Sequence, residues 1–186
     1  MLSYLQQQRL TLQLGNMLPA AKSLLVLAGQ TELAHRLTPN PTTVELLTVI
    51  EQAYQDGYEQ HASTEFELQG IAFAGYGDPL LHLDRLAEVL PAFKAQRHGV
   101  PVTLVTYGLV AAAQQAELCQ QLVELGVEKL EIFLPATNPP AYQQIVASQQ
   151  YGFSEVCQFI HAAAEAGLLV TCFAYAPVKH AAELRA

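Results

Sequence analysis

Short apolar runs rich in β-branched and aromatic residues alternate along this chain with longer stretches in which apolar residues return at three- and four-residue steps, and Gly or Pro marks each switch. The short runs predict strands at 9–14 (RLTLQL), 70–74 (GIAFA), 101–106 (PVTLVT), 129–134 (KLEIFL) and 168–173 (LLVTCF). The periodic stretches predict helices near 41–58, 83–96, 111–125, 139–148 and 154–166. Gly126 and Gly167 each follow a helical run and precede a strand, the position of a left-handed C-terminal cap. Thr38 and Ser154 are the candidate start signals. Paired glutamines at 114–115, 120–121, 143–144 and 149–150 fall on the predicted helix surfaces.

The later strand ends lie at positions 74, 106, 134 and 173, so successive spacings are 32, 28 and 39 residues. Each is close to the roughly 30 residues of one strand–helix–strand unit, which makes parallel pairing the natural topology. The strands are almost wholly apolar, as when both faces of a sheet are covered. The expected fold is α/β, a single domain over 1–186 built as a partial (β/α) TIM-like barrel of five to six parallel strands with helices outside. A flavodoxin-like open sheet is the alternative. Residues 16–38, after the first strand, are too many for an ordinary strand-to-helix loop and stand where such folds carry a functional one.

Composition narrows the function classes. Apolar residues make up 51% of the 186 and charged residues 14%, against about 25% in an average soluble protein. That composition excludes a disordered chain. The formal charge of −8 opposes a phosphate backbone, so no nucleic-acid partner is expected. The best basic cluster, Lys94, Arg97 and His98, reads as a solvated helix end. The opening MLSYLQQQRL lacks the apolar core of a signal peptide, and no apolar run approaches the roughly 20 residues that cross a bilayer. A cytoplasmic location without a membrane partner is therefore expected. Cys119, Cys157 and Cys172 have neither disulfide-framework nor metal-ligand spacing and are expected as reduced, largely buried thiols.

For chemistry, the most informative stretch is the strand Ile71-Ala72-Phe73-Ala74 running into Gly75-Tyr76-Gly77-Asp78-Pro79. Two glycines free the backbone for a close-approach turn, and Asp78 then stands at the carboxyl end of the strand, where a carboxylate can either hold a ligand ammonium or start the following helix. The chain carries no GxSxG elbow, HExxH pair, P-loop or GxGxxG opening a helix after a strand. No two of its six histidines share metal-binding spacing; His82 stands out only by following the glycine turn. Tyr76, Tyr107 and Tyr175 are placed near strand carboxyl ends, where they could line one pocket or simply pack over it.

The stretch 71–84 resembles the Gly-Gly-Glu region of radical S-adenosylmethionine enzymes, especially the subfamily associated with TatD nucleases, whose strand runs into a Phe-Cys-Gly-Phe-Gly-Glu-Pro-like turn. The likeness continues in order. Val105-Thr106-Tyr107-Gly108-Leu109 stands where that family has a Thr-Asn-Gly turn, Phe133-Leu134-Pro135-Ala136 with Tyr142 resembles its Ser-Leu-Asn-Ala segment and tyrosine, 153–171 looks like its next helix and strand, and 4–16 like its opening strand. The resemblance covers nearly the whole chain. It implies S-adenosylmethionine as the ligand, with Gly75, Tyr76, Gly77, Asp78 and Thr106 as the cofactor-binding residues.

The departures from the family pattern bear on function. Its members hold a four-iron four-sulfur cluster through a CxxxCxxC loop after the first strand, since such clusters need soft anionic sulfur ligands. The matching segment here, 16–27, contains no cysteine. The family glutamate is shortened to Asp78, its turn asparagine is Tyr107, its fourth-strand asparagine is Pro135, and its strand-end cysteine is Ala74. The cluster is therefore expected to be absent and catalytic residues are unassigned. The expected function is that of a non-catalytic pseudoenzyme acting by weak S-adenosylmethionine or nucleoside binding, or through a partner: a second copy, or an intact radical S-adenosylmethionine relative covering the open sheet edges. The alternative is an enzyme that uses S-adenosylmethionine, or a strand-end pocket around Asp78, His82 and the tyrosines, without a cluster. A decayed fragment is a third reading, since the chain stops inside what looks like another helix.

Overall fold

The computed structural model describes residues 3–6, 9–13, 41–61, 69–74, 78–146 and 151–173. In chain order these form β1 (Ser3–Gln6), β2 (Arg9–Gln13), α1 (Thr43–His61), β3 (Gly70–Ala74), a 3₁₀ turn (Pro79–His82), α2 (Leu83–Gln96), β4 (Val102–Thr106), α3 (Ala112–Glu124), β5 (Lys129–Phe133), α4 (Pro139–Ile145), α5 (Phe153–Glu165) and β6 (Leu169–Phe173). The long connection expected at 16–38, the start signal at Thr38 and the glutamines at 149–150 lie outside the described residues.

One sheet takes the strands in sequence order, β1-β2-β3-β4-β5-β6. The pairing of β1 with β2 is antiparallel, and each later neighbour pair is parallel. The five predicted strands are β2–β6 and pair in parallel, whereas the additional strand Ser3–Gln6, which the sequence pattern does not predict, is antiparallel: two residues between β1 and β2 leave no room for the crossover parallel pairing needs. The flavodoxin-like alternative fails on strand order. A doubly wound sheet reverses its order at an internal switch point, and this sheet never does. Its outer strands, β1 and β6, are not paired with each other, so the described residues form an open sheet rather than a closed barrel.

With right-handed crossovers, a parallel order that never reverses keeps the connecting helices on one face. Ile71 sits beside Val102, and Phe73 beside Leu104, which is itself beside Leu130; all five are buried. They share a single core with Leu86, Leu90 and Phe93 of α2, Leu118 and Leu122 of α3, and Val156 and Phe159 of α5. The helices pack in neighbouring pairs, α1 on α2 and α3 and α4 each on α5.

Local chemistry sets the element ends. Thr42 and Glu45 cap α1 reciprocally: Thr42 N donates to Glu45 Oε2 at 2.7 Å, and Glu45 N to Thr42 Oγ1 at 3.2 Å. Asn138 Oδ1 accepts from Ala141 N at 3.0 Å ahead of Pro139. Gly126 (φ 82°) and Gly167 (φ 91°) are the left-handed caps read from the sequence. Val127 N bonds back to Leu122 O and Leu168 N to Ala163 O, closing both Schellman motifs. Ser154 does not start α5: Gly152 is the N-cap, and Glu155 Oε2 accepts its N–H at 2.9 Å. Helix α4 ends at Ile145, short of the predicted 148, because Val146 turns extended. Among the described residues, no helix is long and apolar enough to cross a membrane.

Candidate functional site

The carboxyl ends of β3 and β4 are joined through Asp78. This carboxylate is 4% exposed and caps the 3₁₀ turn, with Oδ1 accepting from Leu80 N at 3.0 Å. Its Oδ2 accepts from Tyr107 N at 2.9 Å. The Thr106 hydroxyl lies 2.8 Å from Oδ1 and 2.7 Å from Oδ2, so its one proton is shared between them. Thr106 Oγ1 in turn accepts from Gly108 N at 3.0 Å. Burial raises the Asp78 pKa above the ordinary aspartate value, and the Thr106 hydroxyl, the Leu80 and Tyr107 amides and nearby His82 oppose that rise.

A carboxylate has about four acceptor positions. Three donors already meet Asp78 here, two amides and the shared hydroxyl. The two alternatives drawn for Asp78 from the sequence, helix start and ligand anchor, are therefore not equal in geometry: the helix-start role is occupied. Gly75, Tyr76 and Gly77, the other predicted ligand residues of this turn, lie outside the described residues, as do Tyr175 and the 16–27 segment. Asp78 and Thr106 are the two predicted site residues that come into contact.

The β4 turn also fixes α5. Gly108 has φ 65°, and a Cβ placed there would stand 2.9 Å from Phe159 Cδ1. Only glycine fits, on both conformation and space. Beside this turn, Tyr107 meets Phe133 edge to face at 5.8 Å, and Phe133 meets Phe173 at 5.6 Å, a row of rings along the carboxyl ends of β4, β5 and β6. Ala74 is half-buried at the end of β3 and Pro135 is buried after β5, so neither position carries a polar side chain.

The cysteines stand on separate elements, Cys119 on α3, Cys157 on α5 and Cys172 on β6, and all three are free. The expectation of largely buried thiols holds for Cys119 alone: Cys157 is half-buried, and Cys172 is exposed because β6 is an outer strand. Burial pushes the Cys119 thiol up to about 11 and raises the other two as well. Among the described residues, no three His, Cys, Asp or Glu side chains come together as a metal site.

The basic cluster differs from the solvated helix end expected of it. Lys94 Nζ is 2.6 Å from Glu128 Oε1 and 3.0 Å from Val100 O. Arg97 pairs with Glu51 at 3.0 Å, and its guanidinium covers the Tyr54 ring at 3.7 Å. Lys94 and Arg97 are thus each matched by an acid across an element boundary, a pairing no local pattern reveals, while His98, the third member, is exposed as expected.

Three further features escaped the sequence reading. Gln115, placed on a helix surface, is buried and donates from Nε2 to Val110 O at 3.0 Å and Glu155 O at 2.9 Å, tying α3 to α5. Lys129 and Glu131, in a strand read as apolar, form a half-buried ion pair at 3.0 Å on the sheet face opposite Leu130. A groove of about 440 Å³ between α1 and α2 is lined by Leu47, Thr48, Ile50, Phe93 and Gln96. It lies towards the carboxyl end of α2, away from the strand carboxyl ends where His82 opens that helix. No protein-family model matches this sequence, and no curated protein matches it.

Proposed function

We propose that the chain is a radical-S-adenosylmethionine-like domain without a cluster, a partial (β/α) barrel that is non-catalytic and works by weak, non-covalent binding of S-adenosylmethionine or a related nucleoside at the carboxyl ends of its strands. The observation that carries this reading is the Asp78–Thr106 clamp. It ties Asp78 to the end of β4, joining the two segments whose residues carry the resemblance, while the carboxylate itself is met by internal donors and has little left for a ligand ammonium. The in-order parallel sheet supports the barrel part of the reading. In this reading Gly75, Tyr76 and Gly77 supply backbone for close approach, and Thr106 with Asp78 acts by holding the two strand ends together.

A four-iron four-sulfur cluster has no place in this proposal, because the residues present do not fit one. Its ligands are three thiolates from one loop, whereas Cys119, Cys157 and Cys172 come from two helices and a strand and have raised thiol pKa values. No reaction step is assigned to the group.

Calorimetric titration with S-adenosylmethionine, on the parent chain and on Asp78→Asn, tests the reading. Saturable binding at high micromolar to millimolar ligand, weakened ten-fold or more in the variant while circular dichroism stays unchanged, is the expected result; ten-fold is about 1.4 kcal/mol. No heat at millimolar ligand removes the binding role. A cluster-type absorbance band after anaerobic reconstitution with iron and sulfide removes the claim that the cluster is lost.

A second reading, association with another copy or with an intact relative, is favoured by β6. This outer strand reads Leu-Val-Thr-Cys-Phe, with none of the charges or prolines that usually guard an edge, and Leu169 on it is 68% exposed. Light scattering at micromolar protein separates the two, since a clean monomer counts against self-association.

A further inference from the structure

We draw no further inference here: the strongest candidate, the outer strand β6 from Leu169 to Phe173, already underlies the association reading above, and nothing in the structure shows what covers it.

Discussion

The Thr106 hydroxyl bridges both oxygens of the Asp78 carboxylate, at 2.8 and 2.7 Å, and so ties the end of β4 to the turn that follows β3. The contact spans 28 positions of sequence and is buried at both partners. Its loss strands a carboxylate among two remaining amide donors and leaves the Gly108 N–H without its acceptor. Thr106→Val, which keeps the shape and removes the hydroxyl, is expected to cost about 1–3 kcal/mol. Urea unfolding measures it, and a loss under about 0.5 kcal/mol would mean the clamp is not a stability element.

The same carboxylate gives a pH signature with a definite sign. Its folded pKa lies above the ordinary aspartate value of 3.8, so over that interval the folded state holds more proton than the unfolded one. Stability from this group is then fully present below 3.8 and falls as pH rises through the raised folded value, the reverse of a salt-bridged aspartate. Asp78→Asn removes that decline. Thermal unfolding of the two proteins across the window upward from 3.8 is expected to give curves that converge or cross, and parallel curves would overturn the assignment.

Two left-handed glycines differ in what surrounds them, which makes a matched pair of substitutions informative. At Gly167 (φ 91°) a Cβ meets nothing within 4 Å, so Gly167→Ala carries only the backbone penalty of about 1–2 kcal/mol. At Gly108 (φ 65°) the same Cβ runs into Phe159 of α5 at 2.9 Å. Gly108→Ala is expected to cost about 1–3 kcal/mol beyond the backbone term, as overpacking does. Equal losses in the two variants would show that α5 yields freely at this contact.

Gly126 and Gly167 were legible in the sequence because a helix cap is a local device, written within six residues of chain. The periodic helix starting at Leu83 was legible for the same reason, and the structure gives it the bounds Leu83–Gln96 that the sequence predicts. Gln115 was not. Its neighbour Gln114 is exposed as expected, but Gln115 faces the carbonyl of Glu155 from a helix 40 positions away, and only the packing of α3 on α5 creates that partner. Arg97 misleads in the same way: the residue type suggests a solvated cation, and Glu51 with Tyr54, both on α1, determine otherwise. For the candidate site, residue types and order picked out Asp78 and Thr106, whereas the direction of their contact, towards each other, is a tertiary fact.

Tyr142 is wholly buried in α4, packed edge to face with Phe153 at 5.9 Å, and its hydroxyl has no hydrogen-bond partner among the described residues. Burial pushes its pKa up to about 12. Burying a phenol that no described residue meets costs about 1–3 kcal/mol. Tyr142→Phe keeps the ring and removes that cost, so it is expected to be neutral or to stabilise by about 1 kcal/mol. Tyr142→Ala empties the site and should lose about 3–5 kcal/mol. A marked destabilisation by Tyr142→Phe would mean that the hydroxyl finds a partner in solution.

The three thiols form a graded probe of the fold, because they sit at three depths on three elements. Cys172 on the outer strand β6 is exposed, Cys157 on α5 is half-buried, and Cys119 on α3 is fully buried with its thiol pushed up to about 11. Reaction with a maleimide or disulfide reagent needs both contact and thiolate, and raised pKa values slow all three relative to a free cysteine. In native buffer one thiol is expected to react first, a second more slowly, and the third only when urea unfolds the chain. Peptide mapping should assign that order to Cys172, Cys157 and Cys119. Rapid labelling of Cys119 in the native state would require α3 to lift from the core it is buried in, so the same experiment reports on whether that helix stays docked.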